Sequence, residues 1–286
     1  MPEAESRTSR FVLTLACPDR KGIVATVSRF LVEQDCNILD SAQFGDPANG
    51  RFFLRTVFHA EHPTDVARLT DAFASIAASF SMDARFHDTN RKVRTLVMVS
   101  KFGHCLVDLL YRHRIGALPV EITKIVSNHR DLEDVAAAHG MPFVHLPVDK
   151  ANKTQQEKAL LSIIDGEKID LVVLARYMQI LSPALCAKLG GRAINIHHSF
   201  LPSFQGARPY SQAHERGVKL IGATAHYVTA ELDEGHIIEQ AVERVSHALT
   251  PEDYAAVGRD IESVALARAV KWHAEHRILP NGRRTV

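Results

Sequence analysis

Four polar side chains in the second half of the chain have the chemistry to work on a carbonyl: Asn195, His197, His226 and Asp233. An amide N–H stabilises an oxyanion, an imidazole moves a proton, and a carboxylate in a partly desolvated site accepts or orients one. The pattern around them predicts convergence. Arg192–Ile196 reads as a short apolar strand whose end carries Asn195 and His197 into a loop broken by Pro202 and Gly206. Leu220–Val228 reads as a second strand, ending in His226 and leading through a polar bend to Asp233 and Gly235. Strand ends of this kind are where open α/β sheets hold their ligands.

The elements that must position these groups follow from periodicity. Val93–Ser100, Pro119–Val126, Pro142–Leu146 and Leu171–Leu174 are apolar runs separated by helical stretches near 104–114, 131–139 and 154–165. That alternation predicts a Rossmann-like α/β domain with a mostly parallel sheet over residues 93–286. A helix is expected from Thr250-Pro251-Glu252-Asp253 to His273, with proline in its first turn and acids facing the dipole. Residues 1–88 read differently. After a polar start at 1–9, strands at 11–16, 37–44, 51–58 and 82–86 and helices after Gly22 and Thr64 give β-α-β-β-α-β, the ferredoxin-like plan. Thr64 is the expected cap of the second helix, and Asp88–Lys92 is a polar linker.

Composition narrows the function classes. The 286 residues are 46% apolar, ample for two cores, and 34 basic against 33 acidic side chains give a net charge of +1. No basic stripe suggests nucleic acid or an anionic membrane as partner. No apolar run approaches the roughly 20 residues of a membrane span, and the start lacks the apolar stretch of a signal peptide, so a cytoplasmic location is expected. Cys17, Cys36, Cys105 and Cys186 are far apart with no Cys-x-x-Cys pair and read as small buried hydrophobes. His198, His214, His226 and His236 invite a zinc reading, but no His-Glu-x-x-His spacing supports one. No metal or cofactor is expected.

Asn195-Ile196-His197, Ser199-Phe200-Leu201-Pro202, Gly206, His226-Tyr227-Val228 and Asp233-Glu234-Gly235, in that order, resemble the folate-dependent formyltransferase family. The resemblance implies Asn195, His197 and Asp233 as the catalytic residues, with His198 and His226 beside the substrate. It implies Met178, Gln179 and Leu181 as one wall of a pterin pocket and Val228 as the other. Lys150–Lys153 is placed to meet a folate's glutamate tail. Pro18-Asp19-Arg20-Lys21-Gly22-Ile23-Val24 before a helix resembles an ACT domain, implying a regulatory domain that pairs in a homo-oligomer and binds an amino acid, glycine or methionine, near Asp19 and Gly22. Gly22 is equally explained as a tight turn.

The first βα turn, Ser100-Lys101-Phe102-Gly103-His104-Cys105, departs from nucleotide-handling members of that family, where a glycine-rich loop cradles a phosphate. Phe102, His104 and Cys105 are expected to occlude that acceptor site. Water then becomes the expected nucleophile, and hydrolysis of 10-formyltetrahydrofolate to formate and tetrahydrofolate, for one-carbon balance and formate supply to purine synthesis, the expected reaction. The alternative is formyl transfer to an amine acceptor.

Overall fold

The computed structural model describes residues 9–201 and 209–286, so Pro202 and Gly206, expected to break the loop after Asn195 and His197, lie outside the described residues. The polar start at 1–8 does too. The chain divides into two compact units, one of residues up to Lys92 joined by Glu275–Asn281, the other of Val93–Ala274 with 282–285.

In the first unit β1 (Arg10–Pro18), α1 (Ile23–Glu33), β2 (Cys36–Asp46), β3 (Arg51–Ala60), α2 (Val66–Phe80) and β4 (Asp83–Asp88) follow the order read from the sequence. The strands form an antiparallel sheet in the order β2-β3-β1-β4. Alternate residues of β1, Phe11, Leu13, Leu15 and Cys17, join Ile23, Val27 and Phe30 of α1 and Leu69 and Phe73 of α2 in one core. Phe30 and Phe73 meet edge to face at 4.9 Å. Truncating a buried phenylalanine in such a cluster typically costs about 3–5 kcal/mol. Gly22 stands at φ 94 at the start of α1, a left-handed conformation that explains glycine there without a ligand. The cap of α2 is Asp65, not Thr64: its carboxylate accepts from the Arg68 N–H at 2.9 Å. Aspartate is the stronger cap of the two neighbours. The chain returns to this unit at its end, where the buried Asn281 amide donates to Asp46 Oδ2 at 2.7 Å.

The second unit runs β5 (Val93–Val99), α3 (His104–Arg114), β6 (Val120–Ser127), α4 (Glu133–Ala138), β7 (Phe143–His145), α5 (Lys153–Gly166), β8 (Leu171–Leu174), α6 (Pro183–Lys188), β9 (Ala193–His197), α7 (Pro209–Glu215), β10 (Leu220–Tyr227), β11 (Ile237–Arg244) and α8 (Pro251–Ala274). Its sheet has the order β11-β10-β9-β8-β5-β6-β7. The strands from β5 to β9 pair in parallel and β10 and β11 antiparallel, so the sheet is α/β and mostly parallel as expected. Leu96–Val99 on the central β5 are fully buried, as a strand covered on both faces requires. β11 had no apolar run to announce it; it is an edge strand whose Glu239, Gln240, Glu243 and Arg244 break the pattern. Thr250 and Asp253 cap α8 reciprocally, at 2.8 Å and 3.2 Å. Among the described residues no helix is long and apolar enough to cross a membrane. The four cysteines are free and buried.

Candidate active site

From β5 the chain winds one way to β6 and β7, then returns to the other side of β5 at β8. Loops leaving β5 and β8 therefore diverge over the sheet's carboxyl edge, the switch point where such folds open a crevice. Parallel pairing sets Leu174 of β8 beside Asn195 of β9, and antiparallel pairing sets His226 of β10 opposite Asn195. Directly paired residues share a face, so the amide and the imidazole meet. Beyond β9, the buried Thr224 hydroxyl donates to Ser199 O at 2.9 Å and accepts from Leu201 N at 3.1 Å, which holds the start of the next loop.

Asp233 reaches the same place from the bend after β10, at φ 59, a left-handed conformation aspartate tolerates. Gly235 makes that bend possible. A Cβ there would lie 1.6 Å from the Tyr227 carbonyl oxygen, a backbone atom that cannot step aside.

Asn195, His197, His226 and Asp233 converge as the sequence predicted. Asp233 Oδ2 lies 3.2 Å from His197 Nδ1 and Oδ1 lies 3.5 Å from His226 Nε2. An ionised carboxylate only accepts, so Nδ1 of His197 carries a proton, and in the neutral imidazole its Nε2 is bare. That Nε2 is buried and has no hydrogen-bond partner among the described residues. His226 donates from Nδ1 to the Tyr227 carbonyl at 2.9 Å, and its Nε2 also lies 3.3 Å from Asn195 Nδ2. Neutral His226 thus accepts from Asn195, and protonated His226 donates to Asp233. Burial works to raise the Asp233 pKa, but hydrogen bonds and charge from His197 and His226 outweigh it and hold the carboxyl well below its ordinary range. Asp233 is therefore an ion that orients His197 better than it is a final proton acceptor, a point the sequence left open.

Met178, Gln179, Leu181, His198, His226 and Val228 all line the same cleft of about 610 Å³ as Asn195, His197 and Asp233. Met178 and Ile180 are 52% and 62% exposed while Tyr177 and Leu181 are buried, so this stretch is no core strand. Its backbone is held from several sides. Ser100 Oγ accepts from Met178 N at 3.0 Å, Lys153 donates to Ile180 O at 2.6 Å, Gln156 to the Tyr177 hydroxyl at 3.1 Å, and buried Glu157 takes both the N–H and the hydroxyl of Ser182. Exposed apolar side chains on a pinned backbone form a preorganised wall. Lys153 is thus tied to that wall.

Across the cleft stands a group the sequence did not single out. Glu262 of α8, 1% exposed, takes His104 Nε2 at 2.7 Å and the Tyr210 hydroxyl at 2.6 Å, with Arg176 Nε 3.3 Å away in ion-pair range. Burial opposes its ionisation, yet the His104 hydrogen bond, the Arg176 charge and the Tyr210 hydrogen bond hold its pKa below the usual range. Gly258 lets the Tyr210 ring lie against α8, where a Cβ would be 2.1 Å from it. His104, Cys105 and Glu262 have metal-ligand proximity, but the adjacent Arg176 cation opposes a divalent ion and burial pushes the Cys105 thiol far up. Phe102 and His104, expected to occlude an acceptor site, line the cleft; Cys105 does not, being fully buried because the first turn of α3 faces it into the core. Arg176, Tyr210 and Glu262 come from three distant segments with no local spacing to betray them.

His198 is partly buried, its ring 5.1 Å from that of His197, and burial, Arg176 and His197 lower its pKa to about 4. His214 binds the Leu249 carbonyl and His236 the Gly282 carbonyl. Asp19 and Gly22 are exposed in the first unit.

A model of the formyl transferase family matches residues 93–270. A formyltetrahydrofolate deformylase of Corynebacterium sp. (strain P-1) is 49% identical over 98% of this chain and 99% of its own. The crystal structure of a formyltetrahydrofolate deformylase from Burkholderia mallei ATCC 23344 is similar at TM-score 0.92 and 52% identity, over 97% of this chain and 99% of that one. Glycinamide ribonucleotide transformylase 1 from Symbiobacterium toebii is similar at TM-score 0.64 and 33% identity, over 70% of this chain and 95% of its own. With its mostly parallel sheet, its cleft at the sheet's carboxyl edge and near full-length likeness to these relatives, the chain belongs to the formyl transferase family, among the formyltetrahydrofolate deformylases.

Proposed function

We propose that the chain hydrolyses 10-formyltetrahydrofolate to formate and tetrahydrofolate. The observation that carries this is the bare, buried Nε2 of His197, held by Asp233 on its other nitrogen and set near the Asn195 amide in a cleft with one apolar wall. The pterin lies against Met178, Gln179 and Leu181, with Val228 opposite, and the formyl group faces Asn195. Water attacks the formyl carbon and gives a proton to His197 Nε2, while Asp233 stabilises the imidazolium. Asn195 donates to the oxyanion. The imidazolium protonates N10, the C–N bond breaks, and formic acid loses its proton, so formyl folate and one water become tetrahydrofolate, formate and one H⁺. Assay of the protein with formyl folate and no amine should release formate and tetrahydrofolate one for one. Without formate the proposal fails.

The remaining assignments rest on residue pattern. Residues 1–88 act as an ACT-like regulatory domain that pairs between subunits of a homo-oligomer and binds glycine or methionine at the Asp19–Gly22 turn, and 93–286 carry catalysis. The exposed turn ahead of α1 supports this, with Asp19 N bonded to Gly50 O at 2.8 Å. The enzyme works in the cytoplasm, supplies formate for purine synthesis, and has no nucleic-acid or membrane partner. Calorimetric titration with both amino acids checks the effector; no heat and no change in rate or assembly removes it.

A further inference from the structure

The chemistry proposed above makes an anion inside a buried site that already holds one. Formate forms next to His197, whose other nitrogen is held by the Asp233 carboxylate, itself 14% exposed. Like charges at reduced dielectric repel, so formate is driven from His197 toward any counter-charge within the cleft. Among the described residues, the cationic side chains that line it are Arg176 and Arg259, together with histidines.

Arg176 has features that pairing with Glu262 leaves unexplained. It follows β8 at φ 64, where a non-glycine residue costs roughly 1–2 kcal/mol. Glu262 is already bonded by His104 and Tyr210, and Nε of Arg176 lies within ion-pair distance of it but outside hydrogen-bond alignment. The rest of the guanidinium is a flat fork with its donors fixed in one plane, and its Nη atoms form no hydrogen bond among the described residues. Its carbon stands 5.6 Å from the centroid of Phe102, a cleft-lining ring. His198 lines the same cleft, close to His197 and within electrostatic range of Arg176.

We propose that the free edge of Arg176 is a carboxylate subsite that receives formate as it leaves the reacting centre, with Glu262 as the positioning residue that holds the fork in place. The inference rests on the hydrolytic reading. Bidentate pairing of a guanidinium with a carboxylate suits a planar one-carbon anion, and the strained backbone is the condition for aiming an arginine from that turn.

The test is product inhibition and direct formate binding, with chloride at equal ionic strength as control. Arg176→Gln with Glu262→Gln removes both charges together and leaves neither buried alone. The expected result is formate inhibition weakened by about tenfold or more, with KM for formyl folate changed less than about threefold. Arg176→Lys keeps the charge without the fork and is expected to weaken formate binding several-fold; it decides the matter if the double variant does not fold. Asp233→Asn, read by binding because turnover is lost, is expected to tighten formate. Formate inhibition unchanged in these Arg176 variants overturns the subsite. So does a wild-type protein that makes formate yet binds none in titration, and the hydrolytic reading then survives. A protein that binds formate through Arg176 but releases none from formyl folate fails the hydrolytic reading alone.

Discussion

The cleft holds two carboxylates that look alike in outline and differ in what they leave undone. Glu262 is saturated: a histidine, a tyrosine hydroxyl and an arginine surround it. Among the described residues Asp233 has two imidazoles and no fixed cation, and behind one of them lies a nitrogen without a hydrogen-bond partner. A saturated carboxylate stabilises the fold around it. One whose partner keeps a bare acceptor stores a capacity to take a proton, which is what an active site needs. Neighbours thus matter more than burial in telling the two apart.

Exchanging the functions of the two residues should fail in opposite ways. Asp233→Asn offers His197 an N–H where it had an acceptor, favouring the wrong tautomer, so turnover is expected to fall by about 10³–10⁴, near 4–5.5 kcal/mol of barrier, with a thermal midpoint close to the parent's. Glu262→Ala leaves Arg176 buried without its anion and is expected to lose about 3–5 kcal/mol in urea unfolding. Equal effects of the two changes on rate and stability would erase the distinction. Asn195→Ala removes one oxyanion donor, worth about 2.7–4 kcal/mol of barrier, read as a drop in kcat larger than any change in KM.

The smallest effect concerns His198, which feels both carboxylates. Its folded pKa of about 4 lies below the ordinary 6.5, so between those values the unfolded chain binds the proton and the folded one does not. Its contribution is full above about pH 6.5 and is lost as pH falls toward 4, by no more than roughly 3 kcal/mol. Unfolding free energies from pH 7 to 4 should show a shallower slope in His198→Gln. An identical slope would mean that His198 is charged where it stands. Asp233 has the same sign at lower pH: its depressed pKa stabilises the fold above the ordinary carboxylate value, and that is lost as pH falls below it.

How much was legible follows the same division. The reacting corner could be read because its residues sit in two short runs, 195–197 and 226–235, each at the end of a strand whose apolar pattern fixes it. Parallel strands buried on both faces announced themselves as apolar runs, while β11, a polar edge strand, did not. The Glu262 corner was invisible because His104, Arg176, Tyr210 and Glu262 meet only through the crossing of α3, α7 and α8 with the turn after β8. No spacing rule links them. Met178 and Ile180 show another limit, since hydrophobicity alone does not distinguish a core face from an apolar wall facing a ligand.

The central claim is that water, activated by His197 and Asp233, takes the formyl group. The direct measurement is turnover of 10-formyltetrahydrofolate in ¹⁸O-labelled water with glycinamide ribonucleotide also present, separating formate from formylated amine by mass. The expected product is formate carrying one solvent oxygen per tetrahydrofolate formed, at a rate the ribonucleotide does not change. Formyl groups recovered mainly on the ribonucleotide, with formate slow in its absence, would contradict it.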